Sequence, residues 1–433
     1  MSRKISPYFP HAHRVPARAV AGFVLAIATI TALLTIASAG YSQSTIIDSN
    51  AAPDGTSPAS VANLNPANGL TWYSTVQPWR EGTMDAARRQ SAGSNTIPLW
   101  TYNVTSSRDG NSYSGVIVGR SPFFHGARTT NVPVIIVPLK IHMPDTGHTF
   151  DPTAADPFGC LPAAGDTALT LSQQSPIFTS PPSDWTMNGT DVGAGQYNDA
   201  FNRAEFFDNV SVTGDRYHTA LSPITTLAAQ TFNVPTSEGR TYSASTFGGC
   251  GDIGVVDYST LSNYLTATLI PSLAGQGVGP TNFPFFLMYN VVMGDPGTSL
   301  TSDCCVIGFH GATGSPLQTY APVDFDSTNI FTNLGNTSVF AHEVGEWLND
   351  PTGINPTPAW GHVGQVSGCQ NNFEVGDPLS GTLFPSLTMP NGFTYDMQEL
   401  AYFSWFYGAP SIGAGGLFSD NGTFTTDAGA PCT

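Results

Sequence analysis

The sequence predicts an α+β fold with a β-rich N-terminal part, held together by disulfides. Segments with helical and with strand periodicity alternate irregularly along the 433 residues, unlike the regular alternation of a doubly wound sheet. Hydrophobic residues make up 40% of the chain, which is enough for a large core. Six cysteines without any C-x-x-C pair indicate three disulfides in an oxidising compartment, and they leave the pairing open.

The first 39 residues carry the features of an export signal. Basic residues up to Arg18 precede an uncharged, mostly apolar stretch over residues 19–36 and a small-residue cleavage site at Ala37-Ser38-Ala39. The same stretch is long enough to act as an uncleaved membrane anchor. Both interpretations predict a secreted or otherwise extracytoplasmic protein, in the periplasm or at the cell surface. Residues 40–95, rich in small and polar residues, are predicted to be a low-complexity linker or a pro-segment.

Residues 96–240 are expected to form the β-rich part of the core. Apolar and β-branched runs predict three strands there, and Asp109-Gly110-Asn111 is a turn signal between the first two. These strands are predicted over residues 99–104, 113–118 and 132–141. Helical spacing predicts one helix over residues 196–207.

Residues 241–433 are expected to form an acidic metal-binding domain. No Lys or Arg follows Arg240, whereas eleven Asp and four Glu do, and such a segment attracts cations and repels polyanions. The formal charge of the chain, −17, excludes a nucleic-acid partner, because phosphate binding needs clustered Lys and Arg. Helices are predicted over residues 257–270, 339–348 and 397–406, and strands over residues 283–293 and 305–309.

The sharpest motif lies in the second of these helices, over residues 339–348, where the sequence reads His342-Glu343-Val344-Gly345-Glu346. Residues four apart share one face of a helix, so His342 and Glu346 are predicted to bind one metal ion. Glu343 points about 100° round the helix, an offset that in the H-E-x-x-H arrangement lets a glutamate act on the metal-bound water. Glu343 is therefore the candidate general base. Asp350-Pro351 is predicted to end the helix, since proline disfavours helical geometry in the residue before it.

A third metal ligand has to come from elsewhere, because catalytic zinc takes three protein ligands. Glu374 follows Glu346 by 28 residues, across a loop long enough to return to the helix, and it is the predicted third ligand. Asp377 and His362 are the alternatives for this position. His310, at the end of a predicted strand, could approach the metal or an oxyanion.

The string from His342 to Glu346 resembles the zincin metallopeptidases, in particular the gluzincins, whose H-E-x-x-H motif is followed by a later glutamate ligand. Its continuation through Asp350-Pro351 and Trp360 to the N-F-E-V-G-D-P segment is similar to secreted proteins of the exordium-like group. The resemblance covers residues 340–378 and implies a zincin-like domain. It implies these roles: His342, Glu346 and Glu374 as metal ligands and Glu343 as the general base. Glu346 departs from the family pattern, which has histidine there.

These observations predict a secreted metal-dependent hydrolase, in the first place a zinc peptidase with a peptide or protein substrate. Zinc is the expected metal, although a carboxylate-rich site also suits Ca²⁺ or Mn²⁺. The alternative is a non-catalytic secreted or cell-surface binding protein with a structural zinc or calcium ion. A glycan-binding or glycan-cleaving protein is a third possibility, and it depends on Trp347, Trp360 and Trp405. No membrane contact is expected beyond the N-terminal anchor.

Overall fold

The fold is that of a computed structural model. The structure describes residues 70–91, 93, 95–124, 129–213, 216–297, 300, 304–408, 410–429 and 432. The predicted signal or anchor at residues 1–39 lies outside the described residues, as does the predicted linker as far as residue 69. Among the described helices, none combines the length and the apolar character that crossing a membrane requires.

Short strands dominate the described part of the chain. In chain order they are β1 (Tyr73–Gln77), β2 (Leu99–Thr105), β3 (Ser112–Val118), β4 (Thr129–His142), β5 (Thr149–Phe150), β6 (Trp185–Met187), β7 (Thr190–Gly193), β8 (His218–Thr226), β9 (Gln230–Asn233), β10 (Gly239–Ser243), β11 (Asp252–Asp257), β12 (Phe283–Tyr289), β13 (Val291–Gly294), β14 (Cys304–Thr313), β15 (Gln318–Phe325), β16 (Pro356–Val363), β17 (Val366–Asn372), β18 (Leu387–Thr388) and β19 (Thr394–Tyr395). The helices are α1 (Met84–Ser91), α2 (Ala168–Gln174), α3 (Tyr197–Glu205), α4 (Phe207–Val210), α5 (Tyr258–Tyr264), α6 (Ile270–Ser272), α7 (Ser338–Asn349) and α8 (Phe403–Tyr407). This mixture confirms the α+β class.

Eleven of these strands form one mixed sheet in the described part. Its order is β10-β11-β13-β14-β15-β12-β4-β5, with β1 beside β14 and with β8 and β9 beside β4. β12 runs parallel to β15 and β4, whereas β14 is antiparallel to β13 and β15. β4 precedes residue 240 and its neighbour β12 follows it, so the two predicted parts of the chain contribute strands to the same sheet.

Part of the stretch expected to be a linker or pro-segment belongs to this sheet. β1 pairs in parallel with β14, and Trp72 and Trp79 on either side of it are buried. Large aromatic side chains remove much apolar surface from water when they pack, which is a physical reason for this segment to join the fold.

Helix α7 carries the H-E-x-x-E motif and matches the prediction over residues 339–348. All twelve of its residues are buried, and it ends before Asp350. The Trp347 ring stacks on Phe283 of β12 with 3.8 Å between ring centroids, and its Nε1 donates to Thr319 Oγ1 of β15. Gly308 of β14 lets α7 lie directly on the sheet, because a Cβ there would come within 2.7 Å of Val339. The motif therefore lies between the sheet and the segments that follow it.

Three other predicted elements differ from the structure. The predicted strand over residues 283–293 is two strands, separated at Asn290, which has a φ of 51°. The strand predicted over residues 305–309 continues to Thr313, so His310 lies inside β14 and not at its end. The predicted helix over residues 397–406 is reduced to α8, because residues before it are extended and Gln398 and Ala401 form isolated β-bridges.

Disulfides connect distant parts of the described chain, as the cysteine count predicts. Cys160 is bonded to Cys250 and Cys369 is bonded to Cys432, and Cys305 is also in a disulfide. The Cys369–Cys432 bond joins the C-terminal end to β17, the strand that leads into the segment containing Glu374. Such bonds are typical of proteins in oxidising compartments.

Candidate metal centre

His342, Glu343 and Glu346 enter the site from α7, as their spacing in the sequence predicts. Their side chains are buried, each with 0% of its surface exposed. His342 Nε2 lies 2.9 Å from Glu346 Oε1, one helical turn further along. These two atoms do not adopt hydrogen-bond geometry, and His342 Nε2 has no hydrogen-bond partner among the described residues. Two polar atoms brought together in this way can share a third partner.

Gln398 fixes the orientation of the His342 ring through a contact with its Nδ1. This Nδ1 lies 3.1 Å from Gln398 Oε1, and Gln398 Nε2 donates to the carbonyl of Gly376 at 2.8 Å. Because the Gln398 amide donates to Gly376, its oxygen faces the ring, and His342 Nδ1 carries the proton of this contact. His342 Nε2 is then left for a cation or a second proton. A histidine that donates its other N–H in this way is typical of metal sites.

The segment over residues 374–377 returns to α7, as the sequence predicts. Gly376 N and Asp377 N donate to Glu346 Oε1 at 3.1 and 3.2 Å. Asp377 Oδ1 lies 3.5 Å from His342 Nε2. Only glycine fits at position 376, because a Cβ there would lie 2.6 Å from the His342 ring. The backbone of this segment therefore lies directly against the ring.

Two glutamine side chains hold Asp377 in place. Gln370 Nε2 donates to Asp377 Oδ2 at 2.7 Å, and Gln365 Nε2 donates to Asp377 Oδ1. A ligand fixed by such contacts loses little further freedom when it binds an ion. Asp377, His342 and Glu346 each offer one ligand atom within 4.8 Å of the others.

His310 reaches the site from β14, on the opposite side of Glu346. Its Nδ1 lies 3.2 Å from Glu343 Oε2 and 3.6 Å from Glu346 Oε2. Its Nε2 lies 3.1 Å from the carbonyl oxygen of Asp350, just past the end of α7. His310, Glu343 and Glu346 form a second group whose ligand atoms all lie within 4.8 Å of one another.

Glu374, the predicted third ligand, is buried on the His310 side of the site. Its Oε2 lies 3.8 Å from His310 Nε2, and its Oε1 accepts from Asn372 Nδ2 at 3.0 Å. It completes neither of the two three-residue groups, whereas Asp377 completes the group around His342. The ligand role of Glu374 stays a prediction.

His362 does not join these residues. Its side chain is exposed, and its Nε2 lies 3.7 Å from Cys369 Sγ. That sulfur is bonded to Cys432 and is therefore not a thiolate that could bind a metal. The tryptophans considered for glycan stacking, Trp347, Trp360 and Trp405, are at most 1% exposed. They belong to the core and offer no platform for a sugar.

Burial leaves several polar atoms of the cluster without a hydrogen-bond partner in the described structure. They are His342 Nε2, Glu343 Oε1, Glu346 Oε2 and Glu374 Oε2. A buried polar atom without a partner costs free energy, and a buried charge costs more. Such atoms on neighbouring side chains are candidates for binding a cation from solution.

The charges of the cluster are not balanced by basic side chains. Within the described part of the chain, the ion pairs of these carboxylates involve only the two histidines. Burial raises the pKa of Glu374 well above its ordinary value, and the neighbouring Glu346 and Asp350 carboxylates add to this. Burial, together with Glu346, also raises the pKa of Asp377 to about 6.

The pKa values of His342 and Glu346 shift in opposite directions, because each residue interacts with the charge of the other. Burial lowers the pKa of His342, but the Glu346 and Asp377 carboxylates outweigh burial and raise this pKa well above its ordinary value. Burial raises the pKa of Glu346, but His342 and His310 outweigh it and lower this pKa. Without a metal the cluster therefore retains protons, and a cation can replace them.

Sequence reasoning did not find Gln398, Gln365 or Gln370. Glutamines carry no spacing motif of their own, and they reach the site through the fold. Gly376 could have been found from the sequence, because it lies between the predicted metal ligands Glu374 and Asp377. Glycine is favoured where the backbone closely approaches another group.

Comparisons of the chain with protein-family models, with curated proteins and with solved structures gave no match. The proposed function therefore rests on the chemistry of the cluster.

Proposed function

We propose that this chain is an extracytoplasmic metalloprotein in which a divalent cation is bound by His342, Glu346 and Asp377. One observation carries the proposal: His342 Nε2, which has no hydrogen-bond partner among the described residues, faces carboxylate oxygens of Glu346 and Asp377 at 2.9 and 3.5 Å. One imidazole and two carboxylates are a donor set that suits Zn²⁺ or Mn²⁺.

The burial of the site favours a structural role for this cation. The three ligand residues are at most 6% exposed, so a substrate cannot reach them without movement of the surrounding segments. A cation held there connects α7 with the segment over residues 374–377. An ion that binds the folded state alone stabilises that state.

The test is the metal content of the purified mature protein, compared with that of His342→Gln. We expect the wild type to retain at least one Zn²⁺ or Mn²⁺ per chain after gel filtration, and His342→Gln to lose this ion. His362→Gln is the matched control, because His362 is exposed and stands apart from the cluster. A wild type that retains neither metal, or one that retains no more metal than His342→Gln does, contradicts the proposal.

A metal-dependent hydrolase, most of all a peptidase, is the second candidate, and the arrangement of Glu343 favours it. Glu343 Oε1 has no hydrogen-bond partner in the described structure, while its Oε2 faces His310 Nδ1 at 3.2 Å. The cation, when bound, would supply Lewis acidity toward water and toward a substrate carbonyl. Glu343 would accept a proton from this water, and His310 would hold the Glu343 carboxylate in place.

Glu343→Gln separates this candidate from a purely structural centre. If the chain is a hydrolase, hydrolysis of a peptide library falls by at least 100-fold in Glu343→Gln but not in Glu238→Gln, which alters a glutamate far from α7 in the sequence. Equal turnover in wild type and Glu343→Gln removes Glu343 from the mechanism. Absence of turnover in a metal-loaded wild type leaves the structural centre as the function.

A further inference from the structure

A second group of ligand atoms lies beside the first, and the proposed centre does not use it. His310, Glu343 and Glu346 each contribute one atom, all within 4.8 Å of one another, and all three side chains have 0% exposure. Glu346 belongs to both groups. Its Oε1 lies near His342, and its Oε2 lies near His310.

The hydrogen bonds of His310 show which ring atom is available. Its Nε2 lies 3.1 Å from the Asp350 carbonyl oxygen, which can only accept, so Nε2 carries a proton. Its Nδ1 faces two carboxylate oxygens, Glu343 Oε2 at 3.2 Å and Glu346 Oε2 at 3.6 Å. This is the pattern of His342, in which one nitrogen donates to a fixed oxygen and the other faces two carboxylates.

Unpartnered oxygens point to the same place. Glu343 Oε1 and Glu346 Oε2 are buried without a hydrogen-bond partner among the described residues. Glu374 Oε2 is also unpartnered, but it lies 3.8 Å from His310 Nε2, the other ring nitrogen, and is not part of this group. A cation near His310 Nδ1 would give Glu343 and Glu346 the partner that they lack.

The formal charge of the cluster also calls for more than one divalent ion. When all of them are ionised, the four carboxylates of the cluster carry four negative charges, and one divalent cation would compensate only two of these charges. In the described structure these carboxylates form no ion pair with Lys or Arg. A second divalent cation would compensate the other two charges. The four carboxylates are those of Glu343, Glu346, Glu374 and Asp377.

We propose that the centre binds two divalent cations, the second one held by His310 Nδ1, Glu343 and Glu346, with Glu346 as the bridging ligand. This inference rests on the proposed function, because the first cation is that of His342, Glu346 and Asp377. A carboxylate that bridges two cations about 3.5–4 Å apart is the usual arrangement of two-metal sites. Glu343 is then a metal ligand, which distinguishes this arrangement from one in which it is only a base.

The experiment is a metal titration of the full mature protein with Mn²⁺, read by bound metal per chain and by electron paramagnetic resonance. We expect two Mn²⁺ per chain in the wild type, with the spectrum of an exchange-coupled pair. His310→Gln should bind one Mn²⁺ and give the spectrum of an isolated ion, whereas His362→Gln should bind two. Glu343→Gln should also lose the coupled spectrum.

The wild-type measurement decides the matter even if His310→Gln fails to fold. Exactly one Mn²⁺ per chain, with an uncoupled spectrum, overturns the second cation and leaves the first one standing. No bound Mn²⁺ and no bound Zn²⁺ overturns both. Two ions that persist with their coupling in a folded His310→Gln place the second cation elsewhere and contradict the assignment.

Discussion

Two buried acidic regions of this molecule compensate their charge in different ways. In the first, Asp199 of α3 accepts from Thr219 N at 2.7 Å, faces His218 Nδ1 at 2.8 Å and pairs with Arg203 at 3.6 Å. In the second, around Glu346, the described structure provides histidines but no Lys or Arg as ion-pair partners. Both regions are almost inaccessible to solvent. The first region carries its own counter-charge in the sequence, whereas the second, under the function proposed above, would take it from solution.

Removal of metal should produce the largest effect that separates the two regions. We expect chelation to lower the free energy of unfolding of the wild type by about 4 kcal/mol, relative to protein in free metal at about 1,000 times the dissociation constant. The measurement is urea unfolding with and without EDTA. In the double variant His342→Gln/His310→Gln, which lacks the histidine of each proposed site, the same treatment should change the stability by less than about 0.5 kcal/mol, a negligible effect by the standard of single mutations.

Asp199→Asn tests the other side of the comparison. Breaking a buried ion pair leaves a charge without its partner, and we expect a loss of about 3 kcal/mol of stability. Because the Asp199 region is not expected to bind metal, the loss should be equal in the presence and absence of EDTA. A loss that disappears on chelation would show that the two regions are coupled, and the comparison would then be wrong.

A smaller effect is expected from Gln398→Met, which keeps the length of the side chain but removes the amide that orients His342. Loss of such an orienting partner lowers metal affinity by about 10- to 100-fold. The measurement is competition with a chelating dye of known affinity. Gln276→Met is the control, because Gln276 is exposed and lies in the turn after α6. Unchanged affinity in Gln398→Met would mean that the packing against Gly376 alone sets the ring orientation.

The sequence predicts where the helix residues of the candidate metal centre lie. The spacing of His342, Glu343 and Glu346 determines their positions on α7, and Asp350-Pro351 determines where the helix ends, because both are consequences of helix geometry. The return of the segment with Glu374 and Asp377 is also predicted, because a loop of this length can bring the segment back to the helix.

The non-local half could not be predicted from spacing. His310 meets Glu343 because β14 pairs with β15 in one register and α7 lies over Gly308, and the sequence does not state that register. Gln398 falls in a stretch whose apolar spacing predicts a helix. The stretch is extended instead, with Gln398 in a β-bridge, and its side chain bonds to His342 and to Gly376. Tertiary contacts outweigh helix propensity there.

The smallest expected effect is a pH dependence whose sign reverses with metal. In metal-free protein the pKa of Asp377 is about 6, raised by burial from 3.8. The folded state therefore binds more protons than the unfolded state between about pH 4 and pH 6, and its stability falls as the pH rises through this window, by about 2 kcal/mol.

In metal-loaded protein the same protons compete with the cation, so the stability gained from metal decreases as the pH falls below about 6. Thermal unfolding at pH 4.5 and 7.5, with EDTA and with Zn²⁺, should show these opposite slopes, and Asp377→Asn should reduce both. Parallel slopes in the two conditions would show that Asp377 neither retains a proton in the folded protein nor exchanges it for a metal ion.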